Sequence, residues 1–145
     1  MRWRCSVPGD DLRGASAFYA AADRGDRSHG RAAAVLSGGE SLLTTEHVLV
    51  ESWILLRHRL GRQPAERFWG GIRAGATQVE PVGSADLEAA WAIGRTFEDQ
   101  DFSIVDRTSF AVMQRLGMSR VASFDDDFAI FRFGPRRDRA FEVLR

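Results

Sequence analysis

One cysteine, Cys5, stands in a chain of 145 residues. An internal disulfide and any thiolate-built metal cluster are thereby excluded, and the composition suits a reducing compartment. Lysine is absent, all twenty basic side chains being arginine. With plentiful Ala and Gly this reads as the coding bias of a GC-rich genome, and only weakly as a choice of the better phosphate ligand. Neither sign of charge dominates: twenty acids balance twenty bases, so no molecule-wide field draws the chain to nucleic acid or to an anionic membrane, and any such contact needs a local patch. No apolar run approaches the roughly 18 residues of a membrane span. The first residues lack the apolar segment of a secretory signal, and a cytoplasmic location is expected.

What is present is ordinary for a globular protein, 44% hydrophobic and 28% charged, in a length that suits one domain with a real core. Residues 1–11, broken by Pro8 and Gly9, show neither helical nor strand period and read as an irregular extension ahead of a single domain over 12–145. An apolar segment runs from Ala15 to Ala22 and a helical one from Ser28 to Leu36; Leu42 to Thr44 is a minimal strand. Thr45 is placed to cap a long helix from Glu46 to Leu60, apolar nearly all round and so expected to be buried, ending at Gly61. Pro64 to Ala74 reads as a helix, Thr77 to Val82 as a strand, and Ser84 to Phe97 as a helix with Leu87, Trp91 and Ile93 inward. A further helix starts near Ile104, with Ser103 and Asp106 spaced as a capping box, and stops at Gly117. Arg120 to Ser123 is a short strand, and Phe141, Val143 and Leu144 supply a last edge strand. Strands alternating with helices predict an α/β sandwich around a mostly parallel sheet.

Three acidic positions carry chemical interest, each with two open readings. Asp106 leads the stripe of Phe110 and Met113 and points inward; it either serves only the helix N-terminus or offers a carboxylate to a site. Glu51 sits among Val48, Val50, Trp53 and Ile54, where a carboxylate needs an ion-pair partner such as His47 or a bound cation. Asp125, Asp126 and Asp127 follow a strand, either as a solvated turn, with Ser123 and Asp126 as another capping box, or at the strand ends where open parallel sheets bind ligands. Together they form the layout of a carboxylate-lined metal pocket. His29, His47 and His58 are scattered and show no metal motif of their own, and Trp53, Trp69 and Trp91 read as core or interface residues.

The runs Leu43 to Trp53, Phe102 to Met113 and Ala122 to Phe128, with the opening Ala15 to His29, resemble PIN-domain ribonucleases of the VapC toxin type over about residues 12 to 133. The resemblance implies a PIN-like three-layer α/β sandwich and a Mg²⁺- or Mn²⁺-dependent endoribonuclease silenced by a small antitoxin protein, with a homodimer as the expected assembly. It implies Asp106 and Asp125 as metal ligands, Glu51 as a ligand or an orienter of the attacking water, Asp127 as a further catalytic acid, and Ser16 as a supporting contact. Oxygen-only ligands suit such hard cations. One departure stands out. The family's first strand ends in a metal-binding Asp two positions before the residue matched by Ser16, and here that position is Gly14; Asp11, Leu12 and Arg13 before it do not read as a central strand. Codons for these four residues such as GAT-CTT-CGT-GGA, read one base later, give Ile-Phe-Val and the start of an Asp codon, so a shifted frame ahead of Ala15 is one explanation. As written, the chain is either an impaired nuclease or a non-catalytic PIN-like module that binds antitoxin or RNA.

Overall fold

The computed structural model describes residues 11–37, 42–123 and 126–145. In chain order the elements are β1 (Asp11–Arg13), α1 (Ala15–Ala22), α2 (His29–Leu36), β2 (Leu42–Thr45), α3 (Glu46–Leu60), α4 (Arg62–Arg73), β3 (Gln78–Glu80), α5 (Ser84–Thr96), α6 (Ile104–Leu116), β4 (Arg120–Ala122), α7 (Asp127–Ile130) and β5 (Glu142–Leu144). The strands form one sheet in the order β3-β2-β1-β4-β5, and every pairing is parallel. The order reverses at β1, whose neighbours are β2 on one side and β4 on the other. Ligand crevices in parallel sheets open beside such a reversal, outside the carboxyl ends of the strands.

Local chemistry explains the long helices. Thr45 accepts a hydrogen bond from the Val48 backbone N–H at 3.1 Å, and Gly61, at φ 100°, takes the backbone out of α3 in a conformation that side chains disfavour. In α6 the anticipated capping box forms: Ser103 Oγ accepts from the Asp106 N–H at 3.0 Å, and Asp106 Oδ2 accepts from the Ser103 N–H at 3.2 Å. One core cluster joins Ile93 of α5, Phe110 and Met113 of α6, Val121 of β4 and the phenylalanines Phe128, Phe131 and Phe141. Phe110 and Phe131 stack at 4.3 Å between ring centroids. A second, smaller cluster holds Phe18 of α1, Val48 of α3 and Ile72 of α4.

Three sequence expectations are corrected. Asp11–Arg13 lacks the apolar pattern of a buried strand, yet it is the middle strand, because its backbone pairs on both sides, Leu12 opposite Leu43 and opposite Val121. The irregular extension expected over residues 1–11 therefore does not include Asp11, and residues 1–10 lie outside the described ones. Leu87 and Trp91 of α5 face solvent, 42% and 67% exposed, while Asp86, Ala90 and Ile93 face inward. Arg115 sets that rotation by holding the Asp86 carboxylate from Nε and Nη2 at 2.8 and 3.0 Å. Finally, α3 is not buried all round: Val48, Ser52 and Leu56 are inside, whereas Val50 and Ile54 are more than half exposed.

Candidate metal centre

Asp106 occupies the first turn of α6, where the capping box fixes its backbone and one carboxylate oxygen. Across from it, Asp127 opens α7. What brings them together is packing: Phe128, buried next to Asp127, stands edge-on to Phe110 of α6 at 5.1 Å. The Asp127 carboxyl is near enough to act on that of Asp106. Burial, then the hydrogen bond and charge of Asp127, push the Asp106 carboxyl up to about 7, against the lowering pull of the Ser103 N–H and hydroxyl. Two close carboxylates cannot both ionise freely, so near neutrality the pair retains a proton unless a cation replaces it. Among the described residues neither acid forms an ion pair with an arginine. An acid pair with no arginine partner among the described residues, made only of oxygen donors, fits a hard divalent cation.

The carboxyl ends of β1 and β4 lie beside Phe128, the neighbour of Asp127 in sequence. Gly14, just past β1, donates its N–H to the Ala122 carbonyl at 3.1 Å and is the N-cap of α1 at φ −88°. Neither backbone nor space requires glycine there. A Cβ would lie 3.5 Å from the Ala122 carbonyl oxygen and 3.8 Å from both Ser123 Cβ and Phe128 Cε2, ordinary contact distances. Beside it the hydroxyls of Ser16 and Ser123 lie 3.2 Å apart.

The remaining acids fall differently. Glu51 lines a groove with His47 and His58 of α3 and with Ile104 and Val105 of α6, adjoining Asp106 in sequence. Asp125 lies outside the described residues, and Asp126 is exposed, paired with Arg145 at 3.0 Å instead of capping through Ser123. Among the described residues no three His, Cys, Asp or Glu side chains gather as a metal-holding group, so Asp106 and Asp127 are the acids seen together. His47, which the sequence offers as an ion-pair partner for Glu51, has its Nδ1 3.1 Å from Thr108 Oγ1 of α6.

Comparison with known proteins points the same way. The PIN domain family matches residues 15–134. The 23S rRNA-specific endonuclease VapC20 of Mycobacterium tuberculosis is 36% identical over 121 residues, covering 81% of this chain and 92% of VapC20. The crystal structure of that protein, described as a sarcin–ricin loop cleaving toxin, superposes with a TM-score of 0.77 at 33% identity over 81% of this chain and 92% of its own. A toxin–antitoxin complex from Klebsiella pneumoniae shares the fold alone, with a TM-score of 0.60 at 12% identity over 83% of this chain and 91% of that one. A parallel sheet reversing at β1 and a sequence match through nearly the whole domain place this chain in the PIN-domain family, among the VapC proteins.

Proposed function

We propose that the chain is a divalent-metal-dependent endoribonuclease toxin of the cytoplasm, and the observation that carries this is the Asp106–Asp127 pair. Asp106 and Asp127 would hold Mg²⁺ or Mn²⁺, with Asp125 as a further ligand and Glu51 as a ligand or an orienter of the attacking water. Such a cation neutralises the scissile phosphate and acidifies a water for in-line attack. The protein's own share is to keep the carboxylates preset: the Ser103 cap fixes Asp106, and the Phe128–Phe110 contact fixes Asp127. Among the described residues no helix is long and apolar enough to cross a membrane, in keeping with the proposed location.

Gly14 supports a second reading, in which the chain binds partners without cutting. It takes the place of the family's first-strand Asp, so one ligand to a weakly held ion is lost and affinity falls. An antitoxin segment has a groove of about 420 Å³ between α1, α2 and α4, walled by Phe18, Leu36, Phe68 and Ile72, of the kind that takes an amphipathic helix. Exposed Leu87 and Trp91, four apart on α5, are what a homodimer would cover.

Cleavage of ribosomal RNA with Mg²⁺ or Mn²⁺ separates the readings, since the 36% identical relative acts on 23S rRNA. Gly14→Asp is expected to raise cutting at least tenfold and Asp106→Asn to abolish it. No cutting by either the native chain or Gly14→Asp would leave the binding module.

A further inference from the structure

Glycine weakens a helix relative to alanine, yet Gly94 occupies the last turn of α5. Its φ is not positive, so the backbone does not call for glycine there; the space around it does. A Cβ would lie 2.9 Å from Arg107 Cζ, closer still to Nη1, and 3.5 Å from Cδ. The half-buried Arg107 of α6 thus rests its guanidinium against α5 in room that only glycine leaves. From that seat its Nε donates to the Phe102 carbonyl oxygen at 3.0 Å.

The Phe102 carbonyl and the Ser103 N–H are the two ends of one planar peptide group. The N–H end donates to Asp106 Oδ2 at 3.2 Å, so a single rigid plate is bonded to a guanidinium at its oxygen and to the acid at its nitrogen. A cationic donor on the carbonyl polarises the amide and makes its N–H a stronger donor. The buried Phe102 ring, packed against Phe97 and Phe110, anchors the residue but leaves the plate free to turn; the bond from Arg107 removes that freedom. We infer that Arg107, seated on Gly94, is a positioning residue that sets the Asp106 carboxylate through the Phe102–Ser103 peptide. Its effect on a bound cation rests on the metal-dependent reading, because groups that orient a ligand from behind govern how tightly that ligand holds an ion. Its hold on the peptide stands without a metal.

Two substitutions empty the seat by different routes. Gly94→Ala drives the guanidinium out, since its planar frame cannot move Nη1 without Nε, and Arg107→Ala deletes it. Each should speed hydrogen exchange at the Ser103 amide, followed by NMR in EDTA, roughly threefold to tenfold, as expected for the loss of one hydrogen bond. Each should also weaken Mn²⁺ binding, measured by calorimetry on the native chain and on Gly14→Asp, by about tenfold, in a signal that Asp106→Asn removes. The double variant should be no worse than either single one, because both act through one contact. Gly94→Ala added to Arg107→Ala should raise the melting temperature, since alanine with no guanidinium to strike only favours the helix. Unchanged Ser103 exchange in Arg107→Ala overturns the inference, and so does Mn²⁺ affinity that stays constant while exchange quickens. It also falls if Gly94→Ala weakens Mn²⁺ binding as much when Arg107 is already alanine, which would make the effect a packing defect of α5. If neither the native chain nor Gly14→Asp binds Mn²⁺, the metal reading falls alone, and Ser103 exchange still decides whether Arg107 positions Asp106.

Discussion

Asp106 ties stability to chemistry. Its carboxyl titrates near 7 in the folded chain against 3.8 ordinarily, so between these values the folded form holds a proton that the unfolded form has released. The resulting stabilisation is complete below about 3.8 and is lost as pH rises to about 7. Asp106→Asn removes that loss. Thermal melts in EDTA are expected to show the native chain losing stability from pH 5 to pH 8 and the variant losing much less, although the variant no longer cuts RNA. A variant as pH-sensitive as the native chain would mean that the acid pair does not share its proton. The residue scale also shows what the sequence could and could not reveal. Asp106 was legible from the capping spacing with Ser103 and from the stripe of Phe110 and Met113, but its partner could not be chosen among three consecutive acids, because only the seating of Phe128 decides which one faces it.

Among the elements, α6 and β1 make opposite demands. α6 bridges the core and the site: Phe110, fully buried, meets Phe102, Phe128 and Phe131 ring to ring. Phe110→Ala should cost about 3–5 kcal/mol and should also loosen Asp127 by releasing Phe128; urea unfolding and a rise in metal dissociation constant would report the two effects. β1 has the opposite character, a central strand written with Asp11 and Arg13. Parallel strands covered on both faces are ordinarily apolar. The combined change Asp11→Ile, Leu12→Phe, Arg13→Val and Gly14→Asp should raise the melting temperature in Mg²⁺ and tighten Mn²⁺ binding in calorimetry. A fall in both would show that β1 is adapted to its own side chains, and would remove the shifted-frame explanation. The sequence hid this strand because neither of its periodic signals is present; parallel pairing to β2 and β4 forms it through backbone groups, which carry no side-chain signature.

For the molecule as a whole, the proposed cation and the proton compete for one acid pair. As proposed, Mg²⁺ would bind the folded chain through deprotonated carboxylates, so its stabilising effect should grow with pH. Melts with and without saturating Mg²⁺ are expected to differ more at pH 8 than at pH 5.5, and Gly14→Asp should widen the difference. An equal Mg²⁺ effect at both values, or one that survives Asp106→Asn, would place the cation elsewhere.

The sequence by itself determined the ends of α3 and α6, because Thr45, Ser103, Gly61 and Gly117 act within a few residues of their own positions, and it determined the alternation that makes an α/β sheet. Tertiary structure alone decided that β1 lies in the middle, that Asp86 and not Leu87 faces inward on α5, and that Asp127 meets Asp106. Each of these depends on groups distant in the chain, such as Arg115 for Asp86 and Phe110 for Phe128, and local pattern cannot report a contact whose other half is written elsewhere.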